Sequence, residues 1–181
     1  KALDGADKKS VAVIGDSTFM HSGMTGLVNI AYNASNSLVI ILDNSITGMT
    51  GHQQNPTTGK NLKGDPAAAV NLEELCKAIG IKNVKVVDPY KMSECEKVIK
   101  ESVELDEPCV IISRRPCALL KYVKHNPPLK VNTDKCVGCK QCLKIGCPAI
   151  SIHDGKCVID HTQCVGCGIC KEMCRLDAIG E

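Results

Sequence analysis

Two cysteine runs in the last third of the chain constrain it more than any other feature. CVGCKQCLKIGCPAI carries Cys136, Cys139, Cys142 and Cys147, and CVGCGICKEMCRLDAI carries Cys164, Cys167, Cys170 and Cys174. In each run three thiols recur at every third position and a fourth follows further on. Three thiolates so spaced wrap one corner of a 4Fe-4S cubane, while the helix that follows carries the fourth away to the other cluster. The spacing therefore predicts one cluster on Cys136, Cys139, Cys142 and Cys174, and a second on Cys164, Cys167, Cys170 and Cys147. A zinc ribbon also pairs CxxC thiolates, but it needs four ligands, and here eight stand in two equivalent sets. Disulfides do not suit adjacent CxxC thiols in a chain with no secretory segment.

The runs resemble those of bacterial two-cluster ferredoxins, with two departures. Four residues rather than three separate Cys142 from Cys147, which lengthens the turn before Pro148. The second run has Arg175 where a Pro is usual; its cation either raises the potential of the nearby cluster or is simply solvated. Cys157, in the hairpin-like DGKCVID, breaks the repeat and reads as structural. The cysteines crowd into the final fifty residues, which hold no aromatic side chain. Such a segment cannot bury enough apolar surface alone, so bonds to inorganic clusters are expected to supply what its core lacks.

Ahead of the runs the pattern changes. SVAVI, from Ser10, is a short apolar, β-branched run that stops at Gly15-Asp16-Ser17, as a buried parallel strand would. HSGMTGLVNIAYNAS has helical spacing and predicts a helix opening after Ser22. SLVIILDN, from Ser37 to Asn44, is a second strand of the same kind. A loop rich in Gly, Thr and Asn runs from Ser45 to Asp65, long enough to expect a function of it. A helix from about Asn71 with Gly80 as its stop, strand VKVVD, helix MSECEKVIKESVEL and strand CVIIS follow. Strand alternating with helix predicts an α/β fold with a doubly wound parallel sheet over residues 1–115. A Pro-bearing linker over 116–131 and a small α+β two-cluster ferredoxin-like domain over 132–181 complete the expected organisation. Cys76, Cys95, Cys109 and Cys117 share no cluster spacing and are read as buried and inert.

The composition narrows the function. Twenty-two Lys and Arg against twenty Asp and Glu leave a net charge of +2, so there is no basic footprint for nucleic acid. One Phe, three Tyr and no Trp leave little to stack on bases. No apolar run reaches transmembrane length. These features predict a soluble cytoplasmic protein with no membrane or nucleic-acid partner, and the free thiols suit an anaerobe. The absence of an initiating Met before Lys1 predicts a piece of a longer polypeptide.

Ligands of such sheets sit beyond the carboxyl ends of the strands, where this chain places Gly15-Asp16-Ser17 and Asp43-Asn44. Gly15 allows close backbone approach, Asp16 and Asn44 offer hard oxygens to a magnesium ion, and the amides of the following helix meet the remaining anionic charge of a diphosphate. Gly and Asp at a strand–helix junction also occur for geometry alone. The bracket of GDS and DN about thirty residues apart resembles the thiamine diphosphate (ThDP) motif, which begins GDG and ends in Asn, with Ser17 replacing the last Gly. The resemblance implies magnesium held by Asp16, Asn44 and the main-chain carbonyl of Ile46. DNSITGMTGHQQNPTTG is similar to the cofactor loop of 2-oxoacid:ferredoxin oxidoreductases, implying cofactor contacts at Thr50, Gly51 and Gln53. His21 and His52 either face the thiazolium or substrate carboxylate or merely cap a loop.

The order of modules, with GDSTFMHSG, MTGHQ and CLKIGCPAI, resembles the large subunit of the indolepyruvate:ferredoxin oxidoreductases across essentially the whole chain. That family implies oxidative decarboxylation of an arylpyruvate to aryl-acetyl-CoA and CO2, with electrons passing through two 4Fe-4S clusters to an external ferredoxin. It further implies coenzyme A and a 2-oxoacid as co-substrates, a missing N-terminal region of the same subunit and a smaller partner subunit. A subunit acting on pyruvate or another 2-oxoacid, and a non-catalytic electron-transfer module, are the alternative readings.

Overall fold

The four apolar runs of the first part become four parallel strands of one sheet in a computed structural model that describes residues 8–180. The strands β1 (Ser10–Gly15), β2 (Ser37–Asp43), β3 (Asn83–Val87) and β4 (Cys109–Arg114) are ordered β1-β2-β4-β3. The register sets Val39 beside Val110 and Ile41 beside Ile112, so these four point to one face. There they form a core with Phe19, Leu27, Leu72, Cys76 and Ile81 from the helices and their ends. Leu38, Val87, Cys109 and Ile111 point to the other face, against Cys95 and Val98 of α4 (Met92–Glu104). Helices therefore cover both faces, and each fully buried aliphatic or Phe side chain contributes about 1.5–3 kcal/mol.

Two local expectations change. SVAVI is an edge strand, not a buried one: Val11 and Val13 are 52% and 61% exposed. Among the described residues β1 pairs only with β2, and at this end of the sheet Val11, Val13 and Leu42 stay exposed while Leu38 on the same face is buried. The helical stretch after β1 begins at Asp16 and not after Ser22. It runs as α1 (Asp16–Thr18), a π-helical turn over Phe19–Gly23 and α2 (Met24–Tyr32). Gly23 permits that wide turn to lie against β1, because a Cβ there would stand 2.7 Å from Ile14 Cδ1. The shift matters for function, since it brings the helix amide end directly to Gly15-Asp16-Ser17.

α3 (Leu72–Ile79) opens and closes as its sequence dictates. The Asn71 side-chain oxygen accepts from the Glu73 and Glu74 amides at 3.0 and 3.3 Å, and Gly80 takes φ +112°, a left-handed value that suits glycine. Asn71→Ala should cost about 1 kcal/mol, read as a lower urea midpoint with an unchanged slope. Residues 44–71 form no regular element and are tied by isolated bridges between Thr47 and Gln53 and between Lys60 and Pro66.

The chain divides into two units, Lys1–Cys117 and Ala118–Glu181. The outer bounds expected at residues 1 and 181 lie outside the described residues. The second unit holds two antiparallel strand pairs, β5 (Lys130–Val131) with β8 (Ile179–Gly180) and β6 (Ile150–His153) with β7 (Lys156–Ile159). It also holds a 3-10 turn over Gln141–Ile145 and a short helix, α5 (Ile169–Glu172). Asp154 and Gly155 both take positive φ, the two-residue hairpin turn that an Asp-Gly pair favours. The expected linker is shorter than 116–131. Leu129 is buried in the second core, Lys130–Val131 pair with β8, and the Asn126 amide donates to the Gly166 carbonyl at 3.1 Å. The backbone at Pro127 packs close to Gly166, where an added Cβ would stand 2.5 Å from the Pro127 carbonyl oxygen. No helix among the described residues is long and apolar enough to cross a membrane.

Candidate functional site

Parallel strands deliver their carboxyl ends to the same edge of a sheet, and β1 and β2 are neighbours, so Asp16 and Asn44 emerge side by side. Asp16 is only 3% exposed. One of its oxygens accepts from the Ser17 amide at 2.7 Å and the other from the Asn55 side-chain amide at 3.2 Å. Among the described residues no Lys, Arg or His forms an ion pair with it. Burial raises the Asp16 carboxyl above its ordinary pKa, and Asp43 nearby adds to the rise, against the two hydrogen bonds. A buried carboxylate without a protein cation fits a divalent ion, which would offset its desolvation.

The rest of the edge suits the same ligand. A Cβ on Gly15 would meet nothing within 4 Å, so the backbone is open to a bulky group there. The Asn44 side-chain oxygen accepts from the Ile46 amide at 3.1 Å, which folds the chain back so that Ile46 is buried beside it. The Thr47 hydroxyl donates to Ser17 Oγ at 2.9 Å and ties the two strand ends together. Ser17 thus does more than replace a glycine. Asp43 is held separately, its Oδ2 accepting from Arg114 Nε at 2.7 Å while Arg114 Nη1 reaches Glu73 at 2.8 Å.

Asn55 and Thr47 are absent from the residues singled out in the sequence. Asn55 is buried, and its oxygen accepts from both the amide and hydroxyl of Thr57, at 2.9 and 2.7 Å, while its nitrogen reaches Asp16. The signal was NPTT, an Asn set up to bond two residues ahead. Thr50, Gly51 and Gln53 lie in an exposed turn bridged back to Thr47, in which Thr50 Oγ1 donates to Gln53 Oε1 at 2.6 Å and the Gln53 amide returns to the Thr50 carbonyl. His21, on the π-helical turn, and His52, at φ +64°, are both exposed. Among the described residues neither bonds to Asp16 or Asn44.

In the second unit one cleft is lined by Cys136, Cys139, Cys142 and Cys174, the four thiols of the first predicted set, together with Cys157. The Cys157 and Gly138 amides lower the Cys136 thiol from its ordinary pKa, and Lys156 nearby assists. Cys174 Sγ accepts from the Ala178 amide at 3.3 Å. The second set also gathers. Burial pushes the Cys170 thiol up to about 11, and Cys167, Cys164 and Cys147 add to that in turn by their proximity. Among the described residues no three His, Cys, Asp or Glu side chains converge on the position of a single ion. A cubane does not ask for that, because each thiolate binds its own iron. The donor sets and the cleft fit two clusters of that kind.

A hard-oxygen site at the carboxyl edge of a parallel sheet, open over a glycine at a helix start, is that of an α/β domain binding a phosphorylated cofactor. The family of thiamine pyrophosphate enzymes, C-terminal TPP binding domain, matches residues 1–113, and the chain belongs to it. The cofactor of that domain is thiamine diphosphate. The chain is 43% identical over 184 residues to the indolepyruvate oxidoreductase subunit IorA of Pyrococcus abyssi, covering 96% of this chain and 28% of that one. It therefore spans a little over a quarter of that relative's length, in keeping with the resemblance its motifs carry. Ferredoxin-1 of Caulobacter vibrioides is 39% identical over 51 residues, 26% of this chain and 44% of that protein. Among solved structures, a 2-oxoglutarate:ferredoxin oxidoreductase from Magnetococcus marinus aligns over 62% of this chain and 42% of its own, with a TM-score of 0.56 at 21% identity. That likeness concerns the fold alone.

Proposed function

We propose that the chain is the C-terminal part of the large subunit of a ThDP-dependent 2-oxoacid:ferredoxin oxidoreductase of the indolepyruvate type. The observation that carries this reading is the pairing, on one polypeptide and in this order, of a buried Asp16 edge site and a unit with eight thiols in two sets, in a chain of which 96% is similar to part of such a subunit. Asp16, Asn44 and the Ile46 carbonyl would hold magnesium, and the open backbone at Gly15 with the helix amides behind it would receive the diphosphate. Thr47 and Asn55 keep Ser17 and Asp16 in place. When bound, thiamine diphosphate supplies the carbon chemistry of decarboxylation, and two ferredoxin-like 4Fe-4S clusters supply single-electron acceptors. The thiols of Cys136, Cys139, Cys142 and Cys174, and of Cys164, Cys167, Cys170 and Cys147, would hold those clusters. The exposed His21 and His52 are free to meet substrate or a partner surface.

The remaining N-terminal region and a smaller subunit would complete the site, with coenzyme A, a 2-oxoacid and an external ferredoxin as co-reactants in the cytoplasm. The test is turnover by the full-length subunit with its partner, comparing indolepyruvate with pyruvate in the presence of coenzyme A and a ferredoxin or dye acceptor. Faster acceptor reduction with indolepyruvate is expected. Equal or faster reduction with pyruvate would overturn the substrate class, and CO2 release without acceptor reduction would overturn the oxidoreductase reading.

A further inference from the structure

The two thiolate sets leave over one cysteine of the second unit, and its surroundings are specific. Cys157, on β7, is 3% exposed and lines the cleft with Cys136, Cys139, Cys142 and Cys174. Its sulfur stands 3.5 Å from Cys142 Sγ, and its backbone N–H donates to Cys136 Sγ at 3.4 Å. A single residue thus addresses two of the four sulfurs of one set. We propose that the Cys157 thiol donates a hydrogen bond to the Cys142 sulfur and thereby sets the cluster of Cys136, Cys139, Cys142 and Cys174 at a higher reduction potential.

The inference rests on the cluster reading above and adds a positioning residue to it. A cysteine bound to iron has no proton to give, so the Cys142 sulfur can only accept; the proton shared by the pair belongs to Cys157. A donor aimed at a ligand sulfur withdraws charge from the cluster and favours its reduced, more negative form, since hydrogen bonds to the sulfurs are among the determinants of potential. The second set has no counterpart in sequence. Leu129 precedes Cys136 by as many residues as Cys157 precedes Cys164, and Leu129 is a buried aliphatic side chain with nothing to donate. The two clusters are therefore unequal by construction, which gives a pair of single-electron carriers a direction.

The test compares Cys157→Ala and Cys157→Ser with the wild type in the full-length protein, purified anaerobically, by iron content and by redox titration followed by electron paramagnetic resonance. A wild type without about eight irons would sink the cluster reading itself, whatever Cys157 does. With the irons present, Cys157→Ala should shift one cluster to a more negative potential by about tenfold in its reduction equilibrium, 59 mV for a one-electron couple. The other cluster should stay in place as an internal reference. Cys157→Ser, whose hydroxyl still donates, should fall between the alanine variant and the wild type. An unshifted alanine variant, a serine variant equal to alanine, or an equal shift of both clusters would overturn the proposal. Loss of about four irons in the alanine variant would also overturn it, by making Cys157 a requirement for holding the cluster rather than for setting its potential.

Discussion

Asp16→Ala should weaken magnesium-dependent binding of thiamine diphosphate by more than about a hundredfold, beyond the roughly 10–100-fold that losing a supporting group costs at a metal site. The carboxylate is buried, and its protein partners are two neutral donors, Ser17 and Asn55. Nothing else at the two strand ends can take its place: Asp43 is committed to Arg114 at 2.7 Å. Asn55→Ala removes the support and leaves the ligand, so it should fall within that 10–100-fold range. Titration calorimetry of the full-length protein with and without magnesium reads both, and an unchanged far-ultraviolet spectrum shows that the sheet has survived. Equal binding by the wild type and Asp16→Ala would sink the assignment.

The same residue gives a signed pH dependence. Burial raises the Asp16 pKa in the ligand-free domain, so the carboxylate that magnesium needs begins to be lost above the ordinary carboxylate range as the pH falls. Binding should weaken there, and that component should vanish in the alanine variant. Ligand-free stability runs the other way. A folded pKa above the unfolded one gives a stabilising contribution that is complete below the unfolded value and lost as the pH rises through the folded value.

The sheet was legible because β-branched runs ending at Gly15 and Asn44 admit few alternatives, and the cap of α3 because Asn71 and Gly80 are local signals. β1 misled for a non-local reason. SVAVI is as apolar as SLVIILD, but whether such a strand is covered depends on what packs over Val11 and Val13, which short-range pattern does not contain. The first helix misled because the polar Asp16-Ser17-Thr18 start reads as a turn, and a π-helical turn over Phe19–Gly23 breaks the 3.6-residue period. In the candidate site, Asp16 and Asn44 stood out through their place at strand ends. Asn55 did not, because its contact with Asp16 closes across 39 residues that include a helix, a strand and part of the irregular loop after it.

Pairwise removal of thiols should show which cysteines share a cluster. Cys139→Ala and Cys174→Ala, if they strip the same cluster, are non-additive: each single variant and the double variant should keep about four of eight irons. Cys139→Ala with Cys147→Ala should strip both clusters and keep close to none. The distinction follows from Cys174 lining the cleft with Cys136, Cys139 and Cys142, while Cys147 lies with Cys164, Cys167 and Cys170. Local ligation of each run by its own four cysteines would give the reverse pattern. The doubly stripped protein should also lose the fold of its second unit. Of the nine residues in that unit's core cluster, four are cysteines, Cys136, Cys142, Cys157 and Cys170, and the other five are Leu129, Ile150, Ile159, Ala178 and Ile179. Without the bonds to iron, those cysteines and the few small or aliphatic side chains around them must order the unit alone, a size at which metals or disulfides are usually needed. Hydrogen exchange should therefore collapse over residues 118–180 in the doubly stripped protein while the amides of β2 and β4 keep their protection, because the core of Val39, Ile41, Val110 and Ile112 owes nothing to iron.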